Sequence, residues 1–323
     1  MSFDLIPEPQ SVTLNGDAAD SDDAGAPVPV ALPLVGRISE DRDIDDIAGV
    51  FPTQLADDIE AATGLRWDIA SDVMVAGLPA PNAAIAHPVP PHASCWKSFI
   101  TLRLDPSSLE PQEYRLTIAR SGIDVVGGDT EGVRNGVQTL RQIIRQCAPA
   151  LPRLVIADKP AYKVRGYYLD ATRGRVPTLD WLKTWADRLC LYKYNQLQLY
   201  IEHTFMFDDL SETWRGTSPL KPADIITFDE YCARLGIELV PSVSTFGHQY
   251  MAMRTRELRH LGEFPEDADR RYGFVERQRH HTLNITEPES LAFSFKLIDA
   301  YMQLFRTRKF NICGDETFDL GRG

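Results

Sequence analysis

Apolar and polar positions change period twice along this chain. Residues 28–34 form a short apolar segment broken by prolines. Residues 44–63 place Ile44, Ile47, Ala48, Leu55 and Ala56 on a partial helical face. Residues 99–104 and 114–119 then alternate with period two and predict strands. The pair Ser121-Gly122 marks a turn, and residues 123–126 return as the second arm of a hairpin. Residues 130–147 carry Val133, Val137, Leu140, Ile143 and Ile144 at helical spacing. Strands followed by one long helix predict an α+β domain, a small sheet covered on one face, over residues 1–158.

Lys159-Pro160 marks the expected boundary, and beyond it strand and helix patterns alternate strictly. Residues 164–169 read as a strand. Thr178 can cap a helix with the stripe Leu179, Leu182, Trp185 and Leu189. Residues 196–202 put Leu197, Leu199 and Ile201 on one face and Gln196, Gln198, Tyr200 and Glu202 on the other. A helix over 222–235 stops at Gly236, a strand follows over 237–243, a helix over 287–306 and a last strand over 310–313. Four strands with intervening helices predict a parallel sheet and an α/β class. Residues 159–323 number 165, whereas a closed (β/α)₈ barrel needs about 250. The expectation is the first half of such a barrel, about four βα units, with two unpaired parallel edges.

Charge narrows the function classes. The net charge is −12, and the first 60 residues hold 14 Asp and Glu against two Arg, so the remainder is neutral. No basic face is available for phosphates, which argues against nucleic acid. The acidic stretch from Asp17 to Asp23 reads as a solvated loop. Five scattered cysteines without a C-x-x-C spacing give neither a disulfide framework nor a zinc signature, and no cofactor is expected. No apolar run approaches the ~18 residues of a membrane span. The N-terminus shows no basic start and no apolar signal core, so the expected location is cytoplasmic.

The chemistry gathers at strand ends. Asp170 ends the first strand of the α/β region, Glu202-His203 the second, His248 follows the third, and Gly314-Asp315-Glu316-Thr317 follows the fourth. Sites in barrels and open α/β sheets lie at the carboxyl ends of strands, so these groups are expected to share one rim. Asp315 and Glu316, adjacent at a strand end, are expected to face opposite ways and take different roles. Trp214, in the loop after the second strand, is read either as a sugar-stacking group or as a loop anchor. Trp181 and Trp185 sit four apart on a helix and read as core. Residues 254–281 read as a long solvated loop.

With those residues in place, the chain resembles glycoside hydrolase family 20, the β-N-acetylhexosaminidases, over nearly its whole length. The resemblance rests on Leu5-Ile6-Pro7-Glu8-Pro9-Gln10, Glu113-Tyr114-Arg115-Leu116-Thr117-Ile118 and the run from Gly132 to Gln142, which look like the family's accessory domain. Arg165-Gly166-x-x-Leu169-Asp170-x-x-Arg173, Tyr192-Lys193-Tyr194-Asn195, Gly236 to Pro241, Phe246-Gly247-His248 and Gly314-Asp315-Glu316 look like its first four barrel strands. The resemblance implies an exo-acting enzyme on terminal N-acetylglucosamine or N-acetylgalactosamine of a glycan or glycoconjugate. Its chemistry is substrate-assisted: the sugar's own acetamide oxygen attacks the anomeric carbon. Glu316 is then the acid and later the base. Asp315 holds the acetamide N–H, and its charge is expected to raise the pKa of Glu316. Arg165 is expected to bind the O3 or O4 hydroxyls, and His248 to support the acid. Many members carry an Asp-Asp pair after strand two, where this chain has Glu202-His203. Carboxylates near the third strand's end are replaced by Ser242 and Ser244, so Glu202 is expected to serve His248 in their place. Two other readings are an inactive sugar-binding fragment of that family, and a metal-dependent hydrolase using His203, His248 and Asp315. The second lacks metal-site spacing.

Overall fold

A computed structural model describes residues 3–14, 28–47, 49–70 and 98–323. The acidic stretch at 17–23, Ala48 and Cys95 lie outside the described residues. The chain divides into two compact units, Met1–Lys163 with Leu191–Lys193, and Val164–Cys190 with Tyr194–Gly323.

The first unit is a mixed sheet and two helices. Its strands are β1 (Ser11–Leu14), β2 (Val30–Ala31), β3 (Arg37–Glu40), β4 (Asp68–Ala70), β5 (Ile100–Leu104), β6 (Tyr114–Ala119), β7 (Gly122–Gly127), β8 (Ala150–Leu151) and β9 (Leu154–Asp158). Seven pair in the order β1-β9-β6-β7-β5-β3-β4, and β2 pairs with β8. The expected hairpin is β6–β7, antiparallel, closing at Ala119 opposite Gly122. Helices α1 (Val50–Thr63) and α2 (Thr130–Cys147) share one buried cluster with the sheet. The α2 stripe of Val133, Val137, Leu140, Ile143 and Ile144 is wholly buried, and Asp129 caps the helix by accepting from the Gly132 N–H at 2.7 Å. Asp58 of α1 ties the helices together, bonded to Arg141 Nε at 2.7 Å and Arg145 Nη2 at 2.8 Å. Gly36 is obligatory: a Cβ there would stand 2.4 Å from the Trp67 ring.

Helix α1 starts at Val50, six residues after the expected start at Ile44. Asp46 accepts the Phe51 N–H at 2.7 Å, and Gly49 sits at φ 64°, a left-handed conformation that ends the preceding turn. Ile44 is still buried, but from that turn.

The second unit holds three parallel strands in the order β10-β11-β12: β10 (Gly166–Asp170), β11 (Gln196–Ile201) and β12 (Glu238–Val243). Between and after them come α3 (Leu179–Leu191), α4 (Ser211–Trp214), α5 (Pro222–Arg234), α6 (Tyr250–Met253), α7 (Phe274–Arg277) and α8 (Pro288–Met302). Thr178 accepts the Trp181 N–H at 3.3 Å, the expected cap of α3. Leu197, Leu199 and Ile201 are fully buried. The fourth strand expected at 310–313 is reduced to one parallel bridge, Ser242 to Asn311, with Asn311 accepting from the Val243 N–H at 3.0 Å. Cys313, at φ 51°, turns the chain out of extended geometry before a ladder can lengthen. Beside this edge Ile285, Leu291, Phe295 and Ile312 are exposed and line an apolar groove of about 390 Å³. No helix among the described residues is long and apolar enough to cross a membrane.

The C-terminal end of β3 supplies a pH-dependent element. Burial, then the charges of Asp46 and Asp41, push the Glu40 carboxyl up to about 8. A carboxyl raised on folding stabilises the fold below its unfolded pKa of about 4.3, and that contribution is lost as pH rises toward 8. Glu40→Gln is therefore expected to match the parent near pH 4 and to melt at a higher temperature at pH 8. Thermal melts across that range check this.

Candidate active site

In-line register sets the site. Asp170, Tyr200 and Ser242 are Cα partners across the three strands, so the residues just past them emerge side by side at one rim. The ladder continues briefly: the Ala171 N–H donates to Tyr200 O at 2.9 Å and the Ser244 N–H to Ile201 O at 3.0 Å.

A charged cluster occupies this rim. Asp170 Oδ1 accepts the N–H groups of Thr172 and Arg173, each at 2.9 Å, which fixes the turn that projects Arg173. The Arg173 guanidinium lies 3.3 Å from Asp170, 3.1 Å from Glu202 Oε1 and 3.1 Å from the Tyr200 hydroxyl, with its carbon 5.0 Å from the Tyr200 ring centre. The Tyr200 hydroxyl also donates to Glu202 Oε1 at 3.1 Å, and His203 Nδ1 stands 3.7 Å from Glu202 Oε2. The Glu202 side chain is only 7% exposed. Burial opposes its charge, but the adjacent His203 imidazole and the charges of Arg173 and His248 outweigh it and hold its pKa below the usual range. The same carboxylate, after burial, drives the Tyr200 phenol above its ordinary value.

The second cluster joins strand three to the acid pair. His248 follows β12 in a turn braced by Ser244 Oγ donating to Gly247 O at 2.7 Å and Gln249 Nε2 to Ser244 O at 2.5 Å. Its Nε2 lies 2.9 Å from Glu316 Oε2, with the imidazole 4% and the carboxylate 50% exposed. Gly247 is in close contact here: a Cβ would lie 3.1 Å from Asp315 O and 3.4 Å from Glu316 O. Tyr168 OH, Ser242 Oγ and Cys313 Sγ form a further set at 2.9 and 3.1 Å along that path. Burial first, and Asp315 among the smaller causes, raise the pKa values of Tyr168 and Cys313.

Three non-glycine residues of this cluster are left-handed: His248 at φ 55°, Cys313 at φ 51° and Glu316 at φ 51°. Each costs about 1–3 kcal/mol and persists only where neighbours over-determine it. The expectation that Asp315 and Glu316 diverge because they end a strand is corrected accordingly. They lie in irregular backbone past the bridge, and it is the left-handed backbone at Glu316 that accompanies its contact with His248.

The other sequence candidates lie as follows. Glu202, His203 and His248 line one small cavity with Phe207, Leu210 and Phe293. Trp214 ends α4 with its indole N–H donated to Phe207 O at 2.9 Å, the loop-anchor arrangement, and it does not line that cavity. Arg165 precedes β10, where its N–H donates to Asn195 Oδ1 at 2.8 Å. About 16 Å of strand separates it from Asp170, so its backbone stands at the end opposite the rim. Ser242 and Ser244 are fully buried and bond to Tyr168, Cys313 and Gly247 instead of His248. Arg173 was missed as a site residue, although its i, i+3 spacing from Asp170 was a visible signal. Tyr168 and Tyr200 gave none, since alternation alone does not tell a rim tyrosine from a core one. Among the described residues no group of three or more His, Cys, Asp and Glu side chains is placed to hold a metal ion.

Removing the Glu202 charge tests the first cluster. Glu202→Gln should cost about 2 kcal/mol at pH 7 through lost charge-assisted bonds to Arg173 and the Tyr200 hydroxyl. A depressed carboxyl stabilises the fold above its unfolded pKa, and that share disappears as pH falls through the folded value. The deficit should therefore close in acid, read by urea titrations at pH 7 and pH 3.

Comparison with known proteins follows the same division. Residues 44–159 match the family model "Glycosyl hydrolase family 20, domain 2", and residues 162–320 match "Glycosyl hydrolase family 20, catalytic domain". A β-hexosaminidase of Akkermansia muciniphila is 30% identical over 169 residues, 44% of this chain and 33% of that protein. A lacto-N-biosidase of Bifidobacterium bifidum is 28% identical over 225 residues, 67% of this chain and 19% of that protein. Among solved structures, the Streptomyces plicatus N-acetyl-β-hexosaminidase in complex with Thio-NAglucal superposes with a TM-score of 0.69 at 22% identity, covering 97% of this chain and 59% of that one. The β-N-acetylhexosaminidase of Streptomyces coelicolor A3(2) gives 0.68 at 23%, covering 97% and 60%. The chain thus spans about three fifths of these solved chains and a third or less of the two curated relatives.

Proposed function

The chain belongs to glycosyl hydrolase family 20, and from that premise we propose that it takes part in hydrolysing terminal β-linked N-acetylhexosamine from glycans or glycoconjugates. The observation that carries this reading is the 2.9 Å contact of buried His248 with Glu316, next to Asp315. An acid that protonates a leaving oxygen and later takes a proton from water must be held in place yet remain accessible. Glu316, half exposed and bonded on one oxygen, meets both demands. Asp315 is its partner at the substrate's acetamide, where it orients the amide whose oxygen attacks the anomeric carbon. Glu202, Arg173 and Tyr200 form a charged floor, with the fixed guanidinium available to sugar hydroxyls. On this reading Arg173 is better placed than Arg165 to meet a sugar at the rim. The three strands and the Asn311 bridge are read as the first four positions of a (β/α)₈ barrel.

A second reading, a chain that binds sugar without cleaving it, is favoured by one observation: half of the Glu316 side chain faces solvent, whereas an acid working near neutrality is usually enclosed. Release of nitrophenol from a p-nitrophenyl N-acetyl-β-glucosaminide separates the two. Turnover in the parent, with a loss of about 10²–10⁴-fold in Glu316→Gln, is expected. No turnover combined with retained binding of a thiazoline mimic would leave the binding reading in place.

A further inference from the structure

The irregular segment carrying Glu316 is held from two sides. On one side Gly247 and His248 contact it. Downstream the chain folds into two turns, with the Leu320 N–H donating to Thr317 O at 3.3 Å and the Arg322 N–H to Asp319 O at 3.0 Å. Asp319, 2% exposed, points its carboxylate into the long loop between α6 and α8. Its two oxygens stand 3.0 and 3.1 Å from His280 Nδ1, and the His281 N–H donates to Oδ2 at 3.1 Å. Glu263, 5% exposed, reaches the other way from that loop. It accepts the Gly321 N–H at 2.9 Å and the Gly323 N–H at 3.1 Å. Tyr272 packs on both imidazoles with ring centres 4.9 Å apart, and Tyr250 on His281 at 4.8 Å.

Two buried carboxylates, one from each side, thus cross-tie the loop and the segment after Glu316. Burying them costs several kcal/mol, which simple packing would not require. The left-handed backbone at Glu316 is the feature that needs such bracing, because strain survives only where both flanks are fixed. We propose that Asp319 and Glu263 are positioning residues for Glu316. They clamp the turn after Glu316 to residues 263–281 and so keep the acid at His248. The clamp rests on Glu316 being the acid, so its test needs a readout that does not.

Asp319→Ala and Glu263→Gln are compared with the parent by amide hydrogen exchange and by turnover of the nitrophenyl glycoside. Losing a buried hydrogen-bonded carboxylate should speed exchange over residues 314–323 by about 10–100-fold and leave β11 unchanged. Displacing the acid by a fraction of an ångström should lower kcat by about 10–100-fold with KM within about threefold. Asp319→Asn, which retains an acceptor for the His281 N–H, should fall between. Exchange at the parental rate, or full kcat in a loosened segment, overturns the proposal. If the parent shows no turnover, the hydrolase reading fails separately and exchange alone decides the clamp. If Asp319→Ala loses protection in β11 as well, Asp319→Asn carries the comparison.

Discussion

A carboxylate shut away from water must find positive charge or give up its own. Glu202 is that carboxylate, and much of the rim is arranged around it. Arg173 reaches it only because Asp170 fixes the turn after β10. Tyr200 reaches it only because β11 carries that side chain on the face opposite Leu199. His203 and the field of His248 complete the compensation. Arg173 follows β10, Tyr200 and His203 belong to β11 and its end, and His248 follows β12, so the charge balance closes only in the parallel register seen here.

This explains how far the sequence could be read. The β11 alternation and the α2 stripe were legible because packing one face is enough to make a strand or a helix. The rim was legible as a set of strand-end polar groups for the same reason: parallel strands put their carboxyl ends together. The start of α1 was not legible, because a side-chain acceptor and a left-handed glycine decide it, and apolar spacing continues through them. The strand at 310–313 failed because its apolar residues fit a ladder that the backbone at Cys313 interrupts.

The roles of single residues divided along the same line. Glu202, His203 and His248 share one cavity because their positions follow from strand ends, whereas Asp315 and Glu316 lie past a single bridge and no strand end sets their direction. Arg173 was overlooked because its importance comes from the length of a side chain. Trp214 was open to two readings because a tryptophan carries both a stacking face and an N–H, and only the neighbouring carbonyl of Phe207 shows which is engaged. The change of period falls near residue 160, while the compact units divide after Lys163 and the first also takes in Leu191–Lys193.

The left-handed triplet of histidine, cysteine and glutamate has an evolutionary corollary. Glycine or asparagine would relax all three positions, and single substitutions of that kind are the easiest route to a hardier fold. Under selection for durability alone, the lineage would drift toward them. Such a swap would also forfeit the imidazole–carboxylate contact and the thiol's place beside Ser242, which is what holding these side chains on unfavourable backbone preserves.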